Sequence, residues 1–245
     1  MTACWMNLGQ NLKINAKKFP NTVCLKDSRR SFTYPQTNTR VNRLSHSLTS
    51  LGLSKGDKLA VLLENSIEII ELYLATAKTG IVIVPINFRL TQVEVDYIVE
   101  NSDAKAIVVH DQFTETIDAI RTGLKNIPAE NAIVVGEPKE GYRPYEEFIM
   151  DAPEDEPHAD VRPEDTWILI YTSGTTGKPK GVVHTHAGFP VTPPAGCWST
   201  RIRRVWRRMH VRLVHNSGIQ RKKVFTTDLC AGACTHRKTT DKIFY

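Results

Sequence analysis

Four short apolar runs recur along the first half of the chain, at residues 59–63 (LAVLL), 81–84 (IVIV), 106–109 (AIVV) and 132–135 (AIVV). None of them alternates with polar residues, so each predicts a strand buried on both faces, as in a parallel sheet lying between helices. The segments between them have helical spacing. Ser66 is placed to cap a helix running through Lys78. Thr91 with Glu94 three residues later has capping-box spacing and opens a helix with Val95, Ile98 and Val99 on one face. Ile117, Ile120 and Leu124 mark a third. The alternation predicts an α/β fold, a parallel sheet layered with helices.

The flanks extend this pattern. Residues 8–18 predict a first helix with Leu8 and Leu12 on one face, ending before Pro20. Runs 23–25 and 31–33 predict two short strands joined by the polar turn 27–30. Thr33 and Gln36 form a second capping-box pair, with Pro35 suited to the first turn. The helix that follows carries Val41, Leu44, Leu48 and Leu51 on one stripe, and Gly52 closes it. Residues 151–165 are acidic and rich in proline, with little to bury, and predict a solvated connector. Beyond it, 167–170 predicts another buried strand and Val182 starts one more.

Composition changes this picture at one point. The chain has 245 residues, 41% hydrophobic and 24% charged, which is ordinary for a globular protein. Its longest apolar stretch, 81–86, is too short to span a bilayer. The N-terminus has no basic region leading into an apolar core, so no signal peptide is expected. The five cysteines are irregularly spaced and fit reduced thiols, which predicts a cytoplasmic protein. The net charge of +6, however, is unevenly distributed. Residues 1–186 hold 20 Lys/Arg against 24 Asp/Glu, whereas residues 187–245 hold 12 against 2. Two kinds of sequence meet near Ala187.

The candidate chemistry lies just before that boundary. Residues 171–181 read YTSGTTGKPKG, combining glycines, hydroxyls and two lysines. Gly174, Gly177 and Gly181 let a backbone turn its N–H groups toward one point, Thr172, Ser173, Thr175 and Thr176 add hydroxyl donors, and Lys178 and Lys180 add positive charge. An anion suits such a concavity, above all a polyphosphate. The spacing differs from the nucleoside-triphosphatase loop, because five residues on from Gly174 stands Pro179 and from Gly177 stands Val182. The dinucleotide fingerprint is absent as well.

The stretch resembles the phosphate-loop signature of the acyl-adenylate-forming enzymes, the superfamily of acyl-CoA synthetases, luciferases and peptide-synthetase adenylation domains. Upstream, the motifs FTY (32–34), LGLSKGD (51–57), NS (65–66) and GIVIVPINFRLT (80–91) resemble the N-terminal region of acyl-CoA synthetases, so the likeness runs from about residue 6 to residue 186. It implies the N-terminal subdomain of the adenylate-forming fold. It also implies ATP, Mg²⁺, coenzyme A and a carboxylic acid as reaction partners. Thr172, Ser173, Gly174, Thr175, Thr176, Gly177, Lys178 and Gly181 would hold the β- and γ-phosphates. Lys180 would offset charge on the leaving pyrophosphate. No metal ligand is assigned to these residues.

After His186 the resemblance stops, and the adenine, ribose, acyl and thiol contacts expected of the family have no counterpart. The chain is therefore expected to be the front part of such a ligase, inactive by itself. Arginines interleaved with Trp206 over 201–212 invite an alternative reading, a non-catalytic binding module whose basic tail contacts nucleic acid or an acidic surface, yet they match no known binding module, and a nucleic-acid partner is not expected. Cys230, Cys234 and His236 lack a second ligand pair for zinc. The abrupt charge reversal is what translation in a shifted reading frame would produce, and residues 187–245 are expected to be a poorly ordered tail of that kind.

Overall fold

The computed structural model describes residues 6–172, 178–188 and 225–226. Six α-helices and ten strands are formed among the described residues. A three-stranded antiparallel sheet, order β10-β1-β2, joins β1 (Val23–Lys26), β2 (Ser31–Thr33) and β10 (Phe225–Thr226). The main sheet has seven strands in the order β7-β6-β5-β3-β4-β8-β9. They are β3 (Lys58–Leu62), β4 (Val82–Pro85), β5 (Ala104–His110), β6 (Ala132–Val135), β7 (Arg143–Pro144), β8 (Thr166–Thr172) and β9 (Lys180–Thr185). Every neighbouring pair from β7 across to β8 is parallel, as the unbroken apolar runs predict. The last pair, β8 with β9, is antiparallel, so the sheet is mixed at this edge. A seven-residue connection is too short for a crossover helix and returns the chain as a hairpin.

Strand alternation distributes the apolar residues over two cores. Leu59, Val61, Ile83, Ala106, Val108, Ile133 and Val135 face one way. They meet α1 (Leu8–Lys18), α2 (Tyr34–Ser50), α3 (Ile67–Thr79) and α6 (Tyr145–Met150) through Leu12, Val41, Leu44, Leu48, Leu72 and Phe148. Ala60, Leu62, Val84, Ile107, Val109 and Val134 face the other way, onto Val95, Ile98 and Val99 of α4 (Gln92–Asn101) and Ile117 and Ile120 of α5 (Thr114–Ile120). Helix α3 lies between the sheet and its neighbours α1 and α2, and it is buried on nearly every side. Its ends are fixed locally. The Ser66 hydroxyl accepts from the Ile69 amide, and Gly80 at φ 75° supplies the left-handed residue that closes the helix. Both predicted capping boxes form, Thr33 with Gln36 and Thr91 with Glu94.

Three features depart from the sequence pattern. Leu124 is buried but lies beyond α5, because a 3-10 turn over Arg121–Gly123 tightens the chain before it. The pair β7–α6 was not predicted: two strand residues including Pro144 and a six-residue helix are too short for periodicity to register, and proline is tolerated there because β7 is an edge strand. The connector 151–165 is more than a solvated link. Asn42 donates to the Glu154 carbonyl at 2.7 Å, Arg43 pairs with the Glu154 carboxylate, and Lys55 donates to the Asp160 carbonyl at 2.7 Å. Its strongest tie is Glu156, whose carboxylate meets the Lys78 ammonium at 2.7 Å while Asn38 and Asn42 also bond to that ammonium. Acidic residues that cannot enter the core have instead paired with the cationic and amide side chains of α2 and α3.

A second polar cluster is centred on a buried carboxylate. The fully buried Glu71 carboxylate accepts from Arg40 and from the Tyr145 hydroxyl at 2.8 Å, and Arg40 reaches on to both oxygens of Glu146 at 2.8 Å. Burial pushes the Glu71 carboxyl above the usual carboxylate range, with Arg40 opposing it.

Candidate phosphate-binding site

Strands β8 and β9 carry the predicted loop at their far end. Their register pairs Tyr171 with Gly181 and Thr172 with Lys180, so these two pairs form the mouth of the hairpin. Directly opposed residues project to the same face, which places the Thr172 hydroxyl and the Lys180 ammonium side by side. Thr172, Lys178, Lys180 and Gly181 are all exposed. Of the predicted site residues, Ser173, Gly174, Thr175, Thr176 and Gly177 lie outside the described residues.

The mouth opens at the carboxyl end of β8, beside the carboxyl end of β4. The connection from β4 departs toward β5 on one side of this point, and that from β8 departs toward β9 on the other. Strand connections that diverge in this way leave a crevice, the usual ligand position in an open parallel sheet. Across it lies the turn after β4, where Phe88 stacks on Phe113 with centroids 5.7 Å apart and Arg89 is exposed.

Each limb of the hairpin is held by identifiable contacts. A bulge at the start of β8 turns Trp167 and Ile168 both into the first core, after which Leu169 and Tyr171 face the second. The Trp167 indole N–H donates to the Tyr73 carbonyl at 3.2 Å and to the Thr76 hydroxyl at 3.3 Å, fixing the base of the hairpin to α3. His186 follows β9 and stacks on Trp167 at 5.7 Å, with its backbone N–H donating to the Asp165 carbonyl. Burial pulls the His186 imidazole down to about 4, against the Asp165 charge, so the ring is neutral at pH 7. Nearer the mouth, the Tyr171 hydroxyl donates to Asn101 at 2.8 Å, and the Lys178 ammonium lies over the Tyr97 ring at 5.1 Å. Gly181 permits a close approach, since a Cβ there would sit 3.0 Å from Leu169 Cδ1 and 3.3 Å from Tyr171 Cζ.

The described mouth offers a hydroxyl and two ammonium groups, a donor set that fits an anion, with the Asp103 charge acting on Tyr171 from nearby. The described residues include no group of three or more His, Cys, Asp or Glu side chains suited to a metal ion. The sequence did not single out Tyr97 and Asn101. Their spacing of four residues reads as an ordinary half-exposed helix face, and nothing in it points to a loop more than seventy residues away.

Fold and site together define an open α/β sheet protein whose edge hairpin exposes two lysines at the carboxyl end of β8. The chain belongs to the AMP-binding enzyme family, whose model matches residues 12–217, extending past His186. It is 39% identical over 170 residues to the long-chain-fatty-acid–CoA ligase FadD13 of Mycobacterium tuberculosis (strain ATCC 25618 / H37Rv), covering 69% of this chain and 32% of that protein. It is 34% identical over 182 residues to the fatty acid–[acyl-carrier-protein] ligase ScoC of Streptomyces coeruleorubidus, covering 74% of this chain and 33% of that one. Among solved structures, the anthranilate CoA ligase AuaEII in complex with anthranoyl-AMP superposes with a TM-score of 0.70 at 32% identity, covering 74% of this chain and 35% of that chain. The chain spans about a third of the length of the curated relatives it matches. No helix among the described residues is long and apolar enough to cross a membrane.

Proposed function

We propose that this chain supplies the triphosphate-holding part of an ATP-dependent acid–thiol ligase acting on a fatty acid in the cytoplasm. The reaction has two steps. A carboxylate attacks the α-phosphate of ATP in line and releases pyrophosphate, leaving an acyl adenylate; the thiol of coenzyme A then displaces AMP to form the thioester. Protein assistance to such a displacement is mostly positioning and charge stabilisation. Residues 172–178 and Gly181 hold the β- and γ-phosphates through N–H groups, hydroxyls and the Lys178 ammonium. Lys180 sits beside Thr172 and offsets the charge that builds on the departing pyrophosphate. Mg²⁺ would supply countercharge to the phosphates, and none of residues 172–181 is a carboxylate that could ligate it.

The observation that carries this reading is the exposure of Lys178 and Lys180 together with Thr172 at the mouth of the hairpin, at the carboxyl edge of β8. Calorimetric titration of the 245-residue chain with ATP and Mg²⁺ tests it. Binding should be weak, and Lys180→Ala should weaken it by about tenfold, the ~1.5 kcal/mol of a charge-assisted hydrogen bond. Equal affinity in the two proteins would reject the assignment. One hairpin fixes only one end of one substrate, so the same 245 residues should release no pyrophosphate when given ATP, Mg²⁺, coenzyme A and a panel of short, long and aromatic acids. Turnover that disappears in Lys180→Ala would show a complete site and overturn that expectation.

The basic segment 187–245 is, in this proposal, a shifted-frame product without a catalytic role, and the family match to residues 187–217 is the finding that weighs against it. The coding DNA decides this: beyond codon 186 another frame should continue the family's pattern.

A further inference from the structure

Helix α4 meets the mouth of the hairpin with two side chains one turn apart. Asn101 Oδ1 accepts the Tyr171 hydroxyl at 2.8 Å, and the Tyr97 ring carries the Lys178 ammonium at 5.1 Å. Residues four apart on a helix share a face. Tyr171 stands near the end of the incoming strand β8, whereas Lys178 stands on the outgoing limb just before β9. Two adjacent positions on one helix therefore hold one contact on each limb of the mouth.

The helix is a firm support for this. Val95, Ile98 and Val99 bury its inner face in the second core, and the Thr91–Glu94 capping box fixes its start. The hairpin is pressed toward it, because Leu169 and Tyr171 pack against that same core and Gly181 leaves room for both. Among the described residues β9 has a neighbour on one side only, so the spacing of the two limbs near the mouth depends on what grips them from outside the ladder.

We propose that Tyr97 and Asn101 are positioning residues for the phosphate loop, setting the separation and orientation of its two limbs before polyphosphate arrives. This rests on the reading of residues 171–181 as a polyphosphate loop. Tyr97 orients the Lys178 ammonium by the attraction of a cation for an aromatic face, and Asn101 holds the β8 limb through the Tyr171 hydroxyl. Loss of either contact leaves more conformations for the ligand to order, and affinity falls accordingly.

The test uses the 245-residue chain with inorganic tripolyphosphate as the probe, together with amide hydrogen exchange in the absence of ligand. Asn101→Ala and Tyr97→Leu should each weaken tripolyphosphate binding by about two- to fivefold, the scale of one net hydrogen bond for the first and of an exposed cation–π contact for the second. Both should also speed exchange of the β9 ladder amides nearest the mouth, while the amide of Ile168 at the hairpin base stays unchanged and reports intact folding. Tyr97→Phe keeps the ring and should behave as the unsubstituted chain. Tyr171→Phe removes the other end of the Asn101 bond and should reproduce the exchange of Asn101→Ala. Unchanged β9 exchange in both Asn101→Ala and Tyr97→Leu, or equal effects of Tyr97→Phe and Tyr97→Leu, would overturn the proposal. If the unsubstituted chain binds no tripolyphosphate, the phosphate reading fails by itself, and the exchange measurements still decide whether α4 positions the limbs.

Discussion

Arg40, Glu71 and Tyr145 show how a single buried group gains weight from what surrounds it. Glu71 has no solvent to fall back on, so removing its cation strands a charge in the α2–α3 interface. Arg40→Leu should destabilise the fold by about 3–5 kcal/mol in urea unfolding, the cost of breaking a buried pair from one side. Tyr145→Phe removes one hydrogen bond to the same carboxylate and should cost about 1.5–3 kcal/mol. His186 makes a different kind of prediction. Its folded value of about 4 lies below the ordinary 6.5, so between these two values the unfolded chain binds the extra proton. Its contribution is complete above about pH 6.5 and declines as pH falls toward 4. Substituting His186→Gln should flatten the fall in melting temperature between pH 7 and pH 5. None of these residues was legible beforehand, because periodicity assigns charged and polar side chains to the outside. By contrast, the hydroxyl caps were legible, since Thr33 and Thr91 depend only on a partner three residues away.

Elements follow the same division between local and distant causes. Helix α1 and strands β4, β5 and β6 were readable because their apolar runs answer to burial on a simple period. The strap over 151–165 was not, because its hold on α2 and α3 comes from ion pairs and amide contacts between residues far apart in the chain. Burial raises the Glu156 carboxyl, but hydrogen bonds from Lys78 and Asn38 outweigh it and hold the group below its usual range. Glu156→Ala leaves the almost buried Lys78 ammonium without its carboxylate, so it should cost about 1–3 kcal/mol. The double substitution Lys78→Met with Glu156→Leu should recover part of that loss, because it removes the stranded charge as well. Equal destabilisation by the single and double variants would show that the pair itself contributes little. The proposed phosphate loop is a reading of another kind, because its chemistry is written in consecutive residues. The α4 contacts that flank it are not.

On the scale of the whole molecule, the main sheet is closed at β7 by a two-residue strand carrying Pro144, and among the described residues it is left open at β9. Val182 and Val183 on that open edge are 40% and 58% exposed. Apolar side chains on an unpaired strand invite pairing with another copy of the chain. Val183→Lys should therefore reduce concentration-dependent light scattering at neutral pH while leaving the melting temperature within about 1 kcal/mol equivalent of the parent. Undiminished scattering would place the sticky surface elsewhere.

The hairpin's reversal has a geometric corollary for any attempt to rebuild activity from pieces. Strand β9 runs back down the sheet for six residues, so the backbone at Gly188 has returned to the level of Asp165 and Pro163. A complementing polypeptide attached there starts on the wrong storey. To touch a nucleotide seated at the hairpin mouth it must first climb the height of the sheet, about 20 Å at ~3.3 Å per extended residue. A tether shorter than about six residues would hold the added piece out of reach, whereas the same piece supplied as a separate molecule would face no such limit.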